Sequence, residues 1–386
     1  MLIINNSFSD IVSTIREAFN VKDAFIPLHE PKFIGNEKKY LNDAIDSTFV
    51  SSVGKYVDKF EEMMKEITGA KYAIATVNGT AGLHIALILA GVERGDEVIT
   101  QPLTFVATSN AISYCGAIPV FIDVDIDSLG MSPDSLLAFL KSSVVLKDGV
   151  TYNKITGKKI SACVPMHTFG QPCRIDEIVD ICYKYNIPLI EDSAESLGSI
   201  YKNKKTGTFG KLGVFSFNGN KTVTCGGGGA VVTDDEEIAK KAKHITTTAK
   251  ISHRWEYEHD MVGYNYRLPN LNAALACAQL EQLETFLLNK RQLSFFYMDR
   301  FKQLGIPYIS EISEAKSNYW LMAIKFEDQI QKNEFLKFSN DNLVMTRPIW
   351  RLMNKLVMNK DFFSTSLVNS EILESTIVNI PSSVRL

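Results

Sequence analysis

Between about residue 58 and residue 240 the chain alternates short apolar runs with stretches of helical periodicity, and that alternation leaves few folds open. Strands and helices in turn build a parallel sheet with crossover helices, and uninterrupted apolar runs such as Ile187–Ile190 suit strands covered on both faces. Phe60, Met63, Met64 and Ile67 recur at helical spacing, and Gly69 ends that helix. Strands are expected at Tyr72–Val77, Glu97–Gln101, Pro119–Asp125, Ile160–Met166, Pro188–Glu191, Val214–Phe217 and Gly229–Thr233. Helices are expected over Thr80–Ala90 and near Thr104–Tyr114. Lys147–Lys159 is polar and turn-rich and reads as a surface insertion. From Asn272 a helical stretch carrying Ala273, Ala274, Leu275, Leu280 and Leu283 leads towards a C-terminal α/β part. The expected division is an N-terminal arm over 1–30, a large α/β domain over 31–280 and a smaller α/β domain over 281–386.

Composition narrows the functional classes. An apolar fraction of 45%, a charged fraction of 22% and a net charge of −3 argue against a nucleic-acid-binding or membrane-surface protein. No apolar run approaches the roughly 20 residues of a membrane helix, and Met1–Ser9 lacks a basic segment followed by an apolar one. The cytoplasm is therefore the expected location. Cys115, Cys163, Cys173, Cys182, Cys225 and Cys277 form no C-x-x-C pair and have no matching histidine cluster. They are expected as small buried hydrophobes, and no metal site is expected.

Open α/β sheets collect ligands at the C-terminal ends of their strands, so the reactive side chains there matter most. Lys221 lies in Phe215-Ser-Phe-Asn-Gly-Asn-Lys221, just after an apolar strand and before the glycine run Gly226–Gly229. Asp192 ends the apolar strand of Ile187-Pro-Leu-Ile-Glu-Asp192, with Glu191 expected on the opposite face. Gly79 and Thr80 stand where a strand turns into a helix, and free amides at a helix start favour an anion. Ser216 is placed to add a hydroxyl. Each has an ordinary structural counterpart: a solvated lysine, an N-cap aspartate, a tight turn. Together they meet the demands of transamination through pyridoxal phosphate, which needs an amine for the imine and a carboxylate for the pyridine nitrogen. It also needs a cradle for the phosphate. Neither G-x-x-x-x-G-K-[ST] nor G-x-G-x-x-G occurs, which removes support for nucleotide-triphosphate or nicotinamide chemistry.

Asn78-Gly-Thr-Ala-Gly-Leu-His84, Leu103-Thr-Phe-Val-Ala-Thr108, Glu191-Asp-Ser-Ala-Glu195, Phe215–Lys221 and Gly263-Tyr-Asn-Tyr-Arg267 follow one another in that order. The series resembles the motifs of the DegT/DnrJ/EryC1/StrS sugar aminotransferases, over about Ile26 to Ile380. The resemblance implies an α/β fold-type I architecture like that of aspartate aminotransferase, with a mostly parallel sheet in the large domain. It further implies a homodimer with active sites at the subunit interface and pyridoxal 5′-phosphate as cofactor. By the same resemblance Lys221 carries the cofactor, Asp192 pairs with the pyridine nitrogen and Phe105 stacks on the ring. Gly79, Thr80 and Ser216 would hold the phosphate, and Asn265 would reach the phosphate of the neighbouring subunit. Where the family usually has Gln or His facing the cofactor's 3-hydroxyl, this chain has Glu195. Glu195 and the Asn-Gly-Asn before Lys221 resemble the subgroup that makes 4-amino sugars on the route to bacillosamine or legionaminic acid. Phe49–Gly54 and Pro165–Gly170 strengthen that likeness.

The implied reaction is ping-pong, with L-glutamate as amino donor and a UDP-linked 2-acetamido-4-keto-2,6-dideoxyhexose as acceptor. Lys32, Arg267 and Arg347 are the cationic candidates for the nucleotide diphosphate, and His253, in a polar aromatic stretch with Trp255 and His259, is a candidate flank of the site. His84, mid-helix, is expected to pack in the core. Three rival readings are weighed. A sugar dehydratase of the same family would have His at the position of Lys221. A non-catalytic regulatory homologue has no basic DNA-reading segment to favour it. A nicotinamide-dependent oxidoreductase lacks its glycine pattern.

Overall fold

A computed structural model describes the backbone of residues 2–386 and the side chains from Ser7 onward. The strands that matter for the site are β1 (Tyr72–Thr76), β2 (Glu97–Thr100), β3 (Ile118–Phe121), β4 (Ile160–Val164), β5 (Ile190–Asp192), β6 (Leu212–Ser216) and β7 (Gly229–Thr233). They form a four-stranded sheet ordered β1-β7-β6-β5 and a three-stranded sheet ordered β3-β2-β4. The parallel bridges Cys163 to Leu189 and Met166 to Asp192 join the two through β4 and β5. β7 runs antiparallel to both its neighbours, while β5 with β6 and β2 with β3 and β4 are parallel. The expected mostly parallel sheet is thus present, with one reversed strand that apolar content alone does not reveal. Strands buried on both faces explain the continuous apolar runs: every residue of β2, β4, β5 and β7 is buried.

Two expected boundaries move. The helix anticipated from Thr104 starts at Val106, because Phe105 is extended with φ −70° and ψ 146°. The polar stretch Lys147–Lys159 is more than a surface insertion: its Val150–Asn153 pairs antiparallel with the preceding Val144–Lys147. That hairpin is anchored where the buried Asn153 amide donates to Glu97 Oε2 at 2.8 Å.

A second, antiparallel sheet orders β8 (Met322–Lys325), β10 (Ile377–Ile380) and β9 (Arg347–Pro348), with β10 central. The helix Leu2–Phe19 buries Phe8, Ile11, Val12 and Ile15 against this sheet and against Leu293, Tyr297 and Phe301 of the helix Leu283–Gln303. Five of the six cysteines are buried and Cys115 is half-buried, all as free thiols. Among the described residues no helix is long and apolar enough to cross a membrane, and no cluster of His, Cys, Asp or Glu is arranged to hold a metal.

Candidate active site

The C-terminal ends of the parallel strands open on a cavity of about 650 Å³. At the end of β1, Asn78 is extended and its Oδ1 accepts the Ala81 N–H at 2.7 Å, which starts the helix Gly79–Leu89. The amides of Gly79 and Thr80, one turn ahead of the intrahelical pattern, have no acceptor among the described residues, and both residues line the cavity. A Cβ on Gly79 would lie 2.9 Å from Cβ of Ser216, at the end of β6. Only glycine lets the helix start approach the serine this closely.

β5 supplies the carboxylates by strand alternation. Asp192, 2% exposed, accepts the Thr108 hydroxyl at 2.7 Å on Oδ2 and the Ala194 N–H at 3.2 Å on Oδ1. Burial raises its pKa above the ordinary carboxylate value, and the Thr108 and Ala194 hydrogen bonds and the Lys221 charge act against that. Glu191 points to the other face, as expected. It accepts the amides of Gly207, Phe209 and Gly210 and lies 3.0 Å from His167 Nε2. Those bonds fix the loop that precedes β6.

Lys221 sits in the turn after β6, its backbone N–H held by Asn218 O at 3.0 Å. Its Nζ is 3.3 Å from Glu195 Oε1 and 4.0 Å from the centre of the Trp320 ring. The Trp320 indole N–H is fixed in turn by Asn220 O at 2.6 Å. Glu195 is almost wholly buried, and its Oε2 accepts the Phe169 N–H at 2.9 Å. Burial pushes the Glu195 carboxyl up to about 7, with the Lys221 charge pulling the other way.

Gly79, Thr80, Phe105, Asp192, Glu195, Ser216, Lys221 and Arg347 all line this one cavity. Phe105 is half exposed and faces Trp350 edge-on at 6.3 Å. Other sequence candidates lie elsewhere on the chain. Lys32 pairs with Glu30 at 3.2 Å; Asn265 is exposed and accepts from Arg267 Nε at 3.0 Å. His253 is exposed and accepts the Glu256 N–H at 2.9 Å. His84 does pack internally, its Nδ1 3.2 Å from the Tyr266 hydroxyl. Trp320, Arg351 and Asn379, which no sequence feature singled out, also line the cavity, with Trp350 of the segment around Arg347, and all come from the far C-terminal third. Thr108 stood within a quoted motif, and its hydroxyl at the end of Leu103–Thr108 was the available signal.

A lysine amine and a buried carboxylate lining one cavity, with a helix start whose amides have no acceptor among the described residues, fit a phosphate-bearing pyridine aldehyde. Residues 31–386 match the DegT/DnrJ/EryC1/StrS aminotransferase family. The chain belongs to that family. It is 37% identical to the GDP-perosamine synthase of Escherichia coli O157:H7 over 93% of each chain. It is 35% identical to the GDP-perosamine synthase of Vibrio cholerae, over 86% of this chain and 87% of that one. A Streptococcus pneumoniae protein solved in PLP and PMP forms superposes with a TM-score of 0.84 over 94% of both chains, at 21% identity, a likeness of fold. The fold is fold-type I, and this DegT-family protein is a pyridoxal-phosphate-dependent sugar aminotransferase.

Proposed function

We propose that the protein moves the amino group of L-glutamate to C4 of a nucleotide-linked 4-keto-6-deoxy sugar, working as a homodimer with shared sites. The observation that carries this reading is the Lys221 amine held between Glu195 and Trp320 in a cavity that also contains Asp192 and the Gly79–Thr80 helix start. When bound, pyridoxal phosphate supplies an electron sink for the donor's α-carbon. Asp192, oriented by Thr108, would pair with the pyridine nitrogen. Gly79, Thr80 and Ser216 would take the phosphate oxygens, and Phe105 would cover the ring. Lys221 Nζ would move the proton from the donor's α-carbon, with the Glu195 carboxyl beside it as the group that would take up or return a proton. Trp320 and Trp350 wall off water.

Two nucleotides are in contention. The relatives named GDP-perosamine synthase support a guanosine diphosphate. Glu195 and the Asn218-Gly-Asn220 turn support the UDP-linked 2-acetamido sugar of the bacillosamine and legionaminic acid subgroup. Arg347, which lines this cavity, is the cation this reading assigns to the diphosphate. Exposed Phe33, Phe49, Val53, Trp255, Tyr257 and Val262 support a subunit interface, which would also bring Asn265 to a neighbour's phosphate. The same reading keeps a 1–30 arm, a 31–280 cofactor domain and a 281–386 small domain, with a cytoplasmic location.

The test is an absorption spectrum of the reconstituted protein with and without L-glutamate, repeated on Lys221→Ala. Wild type should show the visible band of lysine-linked cofactor and lose it to glutamate; the variant should never show it. Turnover of GDP- and UDP-linked 4-keto sugars then separates the two nucleotides. A wild type without that band sinks the reading.

A further inference from the structure

β10 is apolar apart from one residue, Asn379, in Ile377-Val-Asn-Ile380. Asn379 is 3% exposed, its side chain makes no hydrogen bond to a described residue, and its Nδ2 is fully buried without a partner. Nearby amides are treated differently: Asn340 Nδ2 donates to Leu336 O and Thr346 O, and Asn318 Nδ2 to Glu195 O and Leu197 O. An unpaired amide inside an apolar strand destabilises the fold, and a valine would fill the same space without that cost. Asn379 also lines the active-site cavity, and its partner across the ladder is Arg347 of β9. Arg347 has no carboxylate partner among the described residues.

We propose that the Asn379 amide is a substrate contact, hydrogen-bonding an oxygen of the molecule that fills the cavity beside Arg347. Two oxygen-rich molecules enter a ping-pong transaminase in turn, a dicarboxylate donor and a glycosyl nucleotide. A neutral amide suits both, since it donates to a carboxylate and both donates to and accepts from a sugar hydroxyl. A lysine in its place would favour the carboxylate and resist release. The inference rests on the aminotransferase reading above.

The experiment follows tryptophan fluorescence of the holoenzyme, because Trp320 and Trp350 both line the cavity. Wild type, Asn379→Val and Asn379→Asp are each titrated with L-glutamate, GDP-mannose and UDP-N-acetylglucosamine. Both variants should bind at least one of these about tenfold more weakly, the size expected for one lost hydrogen bond to a polar or charged oxygen. Asn379→Val should at the same time unfold at an equal or higher temperature than wild type. The probe that weakens identifies whether the donor or the nucleotide sugar owns the contact. Unchanged affinity for all three in the near-isosteric Asn379→Asp overturns the proposal. A wild type that binds none of them defeats the aminotransferase reading instead, and the contact with it.

Discussion

Glu195 is a cavity residue whose acid–base chemistry departs from its type. Its carboxyl is pushed up to about 7 by burial, from an ordinary 4.5. A buried acid of this kind binds its proton more tightly folded than unfolded, so its contribution to stability falls as pH rises from about 4.5 to about 7. The difference is on the order of 3 kcal/mol across that window. Glu195→Gln should therefore unfold at a higher temperature than wild type at pH 8, with the two converging near pH 4. Thermal melts of the cofactor-free protein across that range read it directly, and parallel curves would discard the assignment. Thr108 makes the second residue-scale case. Thr108→Val removes the hydroxyl that donates to Asp192 Oδ2 and should weaken cofactor retention about tenfold while leaving the fold intact. Dialysis against cofactor-free buffer, followed by the visible band, measures it.

At the scale of elements the helix start at Gly79 is the critical joint. Its Cβ position is 2.9 Å from Ser216 Cβ, so Gly79→Ala must push β6 and the helix apart by several tenths of an ångström. Overpacking of this kind costs about 1–3 kcal/mol, and here it also shifts the amides that face the phosphate. The expected outcome is a weaker grip on pyridoxal phosphate and on inorganic phosphate competing for it. Equal affinity in wild type and Gly79→Ala would show that the helix start is not the anion site. Elements of this kind were legible beforehand because strand β1, the turn and the helix follow one another within eighteen residues, and local pattern is sufficient there. The hairpin Val144–Asn153 was not, because what holds it is the distant Glu97.

At the scale of the whole molecule, Lys290 joins segments far apart in the chain. It is fully buried in the helix Leu283–Gln303 and donates to the carbonyls of Tyr319 at 3.3 Å, Trp320 at 3.2 Å and Ser382 at 2.5 Å. One amine thus ties a helix to the segment that carries Trp320 over Lys221 and to the chain's C-terminal end. Burial holds its ammonium well below the ordinary lysine range. Lys290→Met would leave three buried carbonyls without that donor and should lower the thermal midpoint, by a free energy on the order of 3 kcal/mol or more. Differential scanning calorimetry gives the answer, and an unchanged midpoint would rule out the tie. If the exposed aromatic and aliphatic side chains named above are a subunit interface, light scattering should give twice 43.1 kDa. A monomer would leave Asn265 with no neighbour to serve.

What the sequence determined by itself was everything carried by neighbours along the chain. The alternation of strand and helix required a sheet open at one edge. The residues at the strand ends, Gly79, Asp192, Ser216 and Lys221, then had to meet there, because parallel strands deliver their C-terminal ends to one side. Tertiary structure decided what comes from far away. The reversed β7 is invisible to periodicity, since a strand buried on both faces reads the same in either direction. Trp320, Trp350 and Asn379 reach the cavity from a part of the chain remote in sequence from the strand ends they face. No local pattern marks a tryptophan as the cover of a lysine, or an asparagine as the one polar group an apolar strand keeps. Those roles exist only once burial has removed water and left each polar atom to find its partner in space.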